Sequence, residues 1–409
     1  MKSITESARS IPVSGEYDVV VVGGGIAGVA AAVAAARNGA EVCLIEKEFG
    51  LGGLATLGNV IIYLPLCDGR GNQVIKGLGE ELLKLSIRDG YDKIPDCWLP
   101  GGSVAERAEK RYRVDFNPMS YMLELEEFIA ASNVKLYYDT RFCDVVKEAG
   151  LIKAVIVENK SGRSAIVCRA VVDASGDADV CFRSGEDTVS WSSNVRAGWF
   201  YYFDGNAVQL EKFTKWYDAY GRHLPDSGRD FSGDVADEVT GFVLETRKLI
   251  KQKLVELKKD NPSVRPLFMS SIPAFRMTRR LKGAVELEET DDKRYFDDAV
   301  GMTGNWHKSG PVFYIPMSSL VAVKTGNLIA AGRCISSGAT AWDITRSIPA
   351  CAVTGEAAGT AAAALKQENK ITFAKLDIPS LQRQLREQQV IIDKKFAGDA
   401  ELYSARLKI

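Results

Sequence analysis

Two histidines, His223 and His307, serve a chain of 409 residues. Imidazole candidates for moving a proton are therefore few, and a histidine-built metal site has no support. The eight cysteines include no CxxC pair and no Cys/His ligand cluster. A redox dithiol, an iron–sulfur cluster and any other metal are accordingly not expected. Such scattered thiols are expected to stay reduced, which points to a cytoplasmic protein. Charge of one sign is missing too: 52 Lys and Arg stand against 53 Asp and Glu. That balance gives no electrostatic case for nucleic acid or for an anionic membrane surface. No window approaches the ~20 apolar residues of a membrane span. The first seventeen residues lack an apolar h-region, so no secretory signal is expected. No internal repeat is visible. The length suits two domains, or one large domain carrying an insertion.

What is present begins at Asp18, with "DVVVVGGGIAG". "YDVVVVGGG" reads as a buried parallel strand stopped by glycines, and "IAGVAAAVAAARNGA" as an Ala-rich helix ended by Asn38–Gly39. "EVCLIEKE" is a second strand, completing a βαβ unit. Gly23, Gly25 and Gly28 form GxGxxG between strand and helix. The first permits a tight turn, the second a close backbone approach to a pyrophosphate, the third close packing of helix on strand. The helix start adds free N–H groups and a partial positive charge. Glu46, eighteen residues after Gly28, ends the second strand, where an acid accepts hydrogen bonds from ribose hydroxyls. Immediately after it comes "KEFGLGGLATLGNV". A nicotinamide needs no second glycine cluster at this point, whereas the long arm of a flavin must cross such a loop close to the backbone. Gly52, Gly53, Ala55 and Thr56 supply small side chains and a hydroxyl for that crossing. No second GxGxxG follows a later strand, which disfavours a built-in NAD(P)H domain.

Further along, "FNPMSYMLELEEFIAASN" predicts a helix capped by Asn117 with Pro118 in its first turn, and "QVIKGLGEELLKLSIRDG" another. The stretch from Val134 to Ser175 reads as a β-meander returning to the buried strand "AVVDAS". From about Gly185 the character changes to aromatic strands such as "GWFYYFDG", a long amphipathic helix from about Asp234 to Lys259, and the basic run "FRMTRRLKG". "NLIAAGRCIS" returns to strand, "SIPACAVTGEAAGTAAAAL" is a small-residue helix, and "PSLQRQLREQQVII" predicts a helix in the polar tail.

These blocks, with "VVDASGDADV" and "RMTRRLKGAVELEETD", resemble those of the FAD-dependent oxidoreductase family with the glutathione-reductase-type fold, in its order and over nearly the whole chain. The resemblance implies an α/β architecture: a Rossmann-like FAD-binding domain (1–185 and 322–366), an inserted α+β substrate or cap domain (186–321) and a helical tail (367–409). It implies that Gly23, Gly25 and Gly28, with the neighbouring Ala27, hold the pyrophosphate, and that Glu46, beside Lys47, holds the adenosine ribose. Phe142 would clasp the adenine through backbone groups, Ser175 and Gly176 would border the cofactor, and Gly332 and Arg333 would line the ribityl–phosphate path. Ser175 stands where the family commonly has Thr. The helix start at Pro349, Ala350 and Cys351 would face the flavin and stabilise negative charge on its N1–C2=O edge.

For the substrate chemistry, His307 could exchange a proton while hydride passes to or from flavin N5. Exposed-loop placement is the competing reading, and His223 reads as a surface turn residue. Arg346, in "DITRSIP", is the best-placed cation for substrate or flavin, unless Asp343 simply pairs with it. Arg276, Arg279 and Arg280 could bind an anion or form salt bridges with "ELEETDD". Trp199, Tyr201 and Phe203 alternate along one strand face and could wall the flavin or pack in the core. Cys351 would carry a lowered thiol pKa if exposed. The expected activity is hydride transfer between a small organic substrate and FAD, with a separate electron donor or acceptor. The alternatives are an FAD-dependent monooxygenase, which fits "GRCISSGATAWDITRSIP" less well, and a flavin-bound sensor or scaffold.

Overall fold

A computed structural model describes residues 4–5, 8–213 and 228–398, so the reading of His223 lies outside the described residues. The chain opens with β1 (Val13–Val22), α1 (Ile26–Arg37) and β2 (Val42–Ile45). Residues Val19 to Val22 and all of β2 are buried, as continuous β-branched and aliphatic runs demand of strands covered on both faces. Ten of the twelve residues of α1 are buried, mostly alanines whose small side chains let it lie close to its neighbours. Asn38 ends the helix and Gly39 takes φ +78.

The sheet continues with β3 (Lys135–Tyr137), β4 (Arg141–Glu148), β5 (Leu151–Asn159) and β6 (Gly162–Asp173). Its order is β3–β2–β1–β6–β5–β4, parallel from β3 through β6 and antiparallel in the β4–β5–β6 meander. Strand Leu328–Ala330 runs parallel beside the C-terminal end of β6. The expected meander and the returning strand are both found. The glycine loop follows the carboxyl end of β1, the place where open α/β sheets bind ligands.

The helices follow the sequence signals closely. Asn117 caps helix Pro118–Ala131, its Oδ1 accepting from the amides of Met119 and Ser120 at 2.9 and 3.1 Å. The helix expected around Leu78 starts later than its apolar spacing suggested, at Leu78–Ser86, because Gly77 turns the chain with φ +61. The tail helix spans Ile378–Glu387.

A second lobe carries a three-stranded sheet, with Gly198–Phe203 between Val208–Phe213 and Arg265–Met269. Against it lies α2 (Ala236–Asp260), whose buried residues Phe242, Thr246 and Ile250 form one stripe at four-residue spacing. Phe231, Phe242 and Phe275 make a small core separate from the main one. The hairpin Ala299–Gly304 with Val312–Pro316 behaves otherwise. Both strands are buried throughout and pack in the same core as α1 and α3 (Ile348–Gln367).

Among the described residues, α3 alone is long and apolar enough to cross a membrane, contrary to the sequence expectation that no window qualifies. It lies 94% buried inside the protein. Its length and alanine content serve packing: side chains at Gly355 and Gly359 would run into the carbonyl oxygens of Ala27 and Ala31, so α1 and α3 meet backbone to backbone.

Candidate functional site

Gly23 adopts φ +103, and a side chain there would meet the Ala174 carbonyl, so this turn is open to glycine alone. Gly28 lies under it, where any Cβ would strike the Gly23 carbonyl. At Gly25 the opposite holds: a Cβ would meet nothing within 4 Å. The loop is packed hard from below and faces free space above. The second glycine cluster is tied directly to the first. Gly52 donates its N–H to the Gly24 carbonyl at 2.8 Å, and Gly25 and Gly52 pair as an isolated parallel bridge.

Above this floor lies a cleft of about 320 Å³. Gly23, Gly25, Ala27, Glu46 and Lys47 line it from the first βαβ unit, and Gly52, Gly53 and Ala55 from the second glycine cluster. Ser175, Gly176, Arg333, Arg346 and Cys351 complete the part expected from sequence. Two helix starts open into it. Neither α1 nor α3 has a side-chain cap or an acidic residue in its first turn, and Pro349 occupies the first turn of α3. Their first N–H groups are thus left to whatever occupies the cleft, with both helix dipoles adding positive potential.

Several expected residues stand outside the cleft wall. Gly28 supports the loop from beneath. Thr56 is buried, its hydroxyl donating to the Leu51 carbonyl, and so stiffens the second glycine turn from within. Gly332, Pro349 and Ala350 lie behind Arg333 and Cys351; a Cβ on Gly332 would approach that of Ala27 to 2.7 Å. Phe142 sits on β4 opposite Val157 and packs against the core on the other face of the sheet. The neighbouring Thr140 N–H donates to the Glu46 carbonyl at 3.0 Å, which brings that segment beside the end of β2. The Glu46 carboxylate is buried and accepts from the Gly24 and Glu48 amides at 2.6 and 2.8 Å. Burial pushes its pKa up while those two amides pull it down.

His307 does not reach the cleft wall. Its Nε2 lies 2.7 Å from Asp343 Oδ2, and the other oxygen of Asp343 receives the Arg346 guanidinium. The three make a chain, and Arg346 alone of them lines the cleft. Asp343 is 1% exposed. Burial alone would raise its pKa, but Arg346, His307 and Arg276 together bring it down to about 2, so it stays anionic. Cys351 is half-buried on the cleft wall. Burial outweighs Arg333 and Arg346 and drives its thiol up to about 12, so the helix start does not activate it.

Of the other arginines, Arg280 forms a two-pronged pair with Glu286, whereas Arg279 pairs with Asp179 at 2.6 Å. Neither lines the cleft. The alternating aromatics stand apart from it as well: Trp199 joins the main core and Tyr201 stacks on Phe268. The second lobe instead offers Gly233, Val239, Ile272, Pro273 and Phe275. Sequence reasoning missed these, since nothing local marks them. Missed as well was Arg333 as a clamp. It donates to the Gly176 and Phe275 carbonyls, both at 2.6 Å, and pairs with Asp177 at 2.9 Å. Asp177 also accepts the Thr278 hydroxyl at 2.7 Å.

A glycine floor, an acid at the end of β2 and two uncapped helix starts around one cleft define a dinucleotide-binding protein of the Rossmann-like class. The profile described as "FAD dependent oxidoreductase" matches residues 18–197 and 227–385. The chain belongs to that family of FAD-dependent oxidoreductases, and its cofactor is FAD. Among curated proteins it is similar to a thioredoxin reductase of Ureaplasma parvum serovar 3, 38% identical over 83 residues, or 20% of this chain and 27% of that one. It is also similar to a digeranylgeranylglycerophospholipid reductase of Methanoculleus marisnigri, 28% identical over 193 residues and 42% of each chain. The chain thus spans less than half of either relative. Among solved structures, a geranylgeranyl bacteriochlorophyll reductase-like protein of Thermoplasma acidophilum aligns over 96% of both chains, at 12% identity and a TM-score of 0.43.

The residues present fit the cofactor. Free space over Gly25, the bridged second glycine cluster and the two open helix starts suit a long ligand that carries negative charge at more than one point.

Proposed function

We propose that this enzyme exchanges hydride between a small organic substrate and FAD held in the cleft, with a separate electron donor or acceptor completing the cycle. Gly23, Gly25 and the start of α1 would hold the diphosphate, Glu46 the ribose, and Gly52, Gly53 and Ala55 the crossing arm. FAD, when bound, supplies flavin N5 as the hydride donor or acceptor. The amides at the start of α3 offer positive potential to the ring end of the cleft, worth about 1 kcal/mol or more when partly buried. Arg346 is the cation that would meet the substrate. Asp343 fixes its guanidinium, and His307 fixes Asp343, so His307 acts here as a positioning residue. Of residues 186–321 the second lobe would serve as the cap, a reading supported by Ile272, Pro273 and Phe275 on the cleft wall, while the hairpin Ala299–Pro316 belongs to the main core.

The convergence of two uncapped helix starts on one cleft carries this reading. Its test is anaerobic stopped-flow screening of metabolite pools against the purified holoenzyme. Bleaching of the flavin by one chemical class, and recovery with an added acceptor, is expected. A flavin that no substrate reduces and no reduced substrate reoxidises would sink it. A narrower check concerns His307. Gln at this position can still donate to Asp343, so His307→Gln should slow flavin reduction less than about 10-fold, with its pH profile unmoved. A loss of ~10²-fold would instead make the imidazole the proton carrier.

A further inference from the structure

A second concavity of the described residues lies apart from the FAD cleft and exceeds it in volume. A groove of about 850 Å³ runs between segment 71–107 and the tail that follows helix Ile378–Glu387. Its walls carry Lys76, Arg107, Arg386, Lys394 and Lys395 against a single carboxylate, Asp393. A chain with net charge −1 thus concentrates five cations in one depression.

Among the described residues most of that charge has no ion-pair partner: Lys76, Arg107, Arg386 and Lys394 are paired with no carboxylate, and Asp393 lies 3.5 Å from Lys395. Three of the five cations rest on aromatic faces, one of them also on a carbonyl. Arg107 lies 5.5 Å over the Trp98 ring and donates Nε–H to the Cys97 carbonyl at 2.8 Å. Lys394 lies over Tyr295 and Lys395 over Phe396. Such supports fix a cation while leaving its charge available. The groove also has an apolar side: Val104 is 60% exposed there, with Ile391 and the half-buried Phe396 opposite.

We propose that this groove is a second ligand site, for a nucleotide-sized organic phosphate. The cations meet the phosphate oxygens, with Arg386 and Arg107 offering planar forks, and the apolar side receives the base or another uncharged moiety. The volume lies in the range of small-molecule sites, and the surface is concave, unlike the flat contact an acidic protein would need. The site is built from residues remote from the glycine floor, so it does not depend on the hydride reading above.

The test is calorimetric titration of the FAD-loaded protein with ADP, NADPH, inorganic pyrophosphate and poly-glutamate, in parallel with the double variant K76E/R386E. Arg386 is exposed and Lys76 half-buried, and both lie outside the FAD cleft. FAD content and melting temperature should therefore be unchanged. ADP or NADPH should bind, more weakly as salt rises, and the double charge reversal should weaken binding at least ~10-fold. ADP and NADPH binding equally assigns the phosphate and base alone, whereas NADPH binding alone assigns a nicotinamide nucleotide. Pyrophosphate binding as tightly as ADP overturns the nucleotide reading, and poly-glutamate binding without ADP gives the face to an acidic protein. Nucleotide binding that K76E/R386E leaves intact, or none at all, overturns the site.

Discussion

Glu356 sits in the middle of α3, 2% exposed, and its carboxylate accepts the Leu78 amide at 2.8 Å at the start of helix Leu78–Ser86. Burial raises its pKa from 4.5 to about 8, with Glu81 adding to the shift and the Leu78 amide and Arg37 opposing it. The folded protein therefore binds this proton more tightly than the unfolded chain. Its stabilising effect is complete below about pH 4.5 and is lost as pH rises toward 8. Urea midpoints measured across that window should fall for the parent protein. Glu356→Gln keeps an acceptor for Leu78 and carries no charge, so its midpoints should stay level by comparison. A parallel decline in both proteins would place the pH dependence elsewhere. Cys351 yields a second residue-scale expectation. With a thiol near 12 it should react with iodoacetamide at least ~10²-fold more slowly than a free cysteine at pH 8, read by mass spectrometry of the native protein. Rapid labelling would mean that the cleft leaves the thiol open and its pKa unraised.

At the scale of elements, the contact of α1 with α3 dominates. Gly355 and Gly359 lie against the backbone of Ala27 and Ala31, so even one methyl forces the helices apart. Gly359→Ala should lower stability by about 1–3 kcal/mol, the usual cost of overfilling a packed interior. It should also lower the FAD retained on purification, because both open helix starts move with that contact. Denaturant melts and cofactor-to-protein absorbance ratios check the two effects, and a stable variant with full flavin would contradict the packing. These elements were legible because their signals are local: Val runs for β1, alanine for α1, Asn117 before Pro118. The hairpin Ala299–Pro316 escaped notice. Buried on both faces, its strands show no alternation, and their partner α3 lies further along the chain. The clamp of Arg333 on Gly176, Asp177 and Phe275 was invisible for the same reason, since it joins residues about 60 to 160 positions apart. So was the depth of His307, which only its contact with Asp343 reveals.

Across the whole molecule, burial is uneven. In α3 sixteen of twenty residues are buried; in α2 three of twenty-five are. Elements with few buried apolar contacts open first. Hydrogen exchange should therefore be faster in α2 than in α1 and α3, and the second lobe should open while the sheet stays protected. Uniform protection would mean that the two lobes unfold as one unit. The general plan, a dinucleotide fold with added structure before its last helix, was readable from the order of motifs. The basic groove was not, because its cations come from positions 76, 107, 386, 394 and 395 and converge only in the folded chain.

The bare contact between the first helix and the long alanine helix has one further effect. Two backbones in touch leave no slack to be taken up by a shifted rotamer, so the separation of the two amide ends is a fixed gauge. A guest is measured against it. FMN, which carries the ring, the ribityl arm and one phosphate, would still span that gauge, so discrimination against it would fall to the adenosine end beside Glu46; the gauge itself would reject riboflavin, which has no phosphate and reaches one end alone.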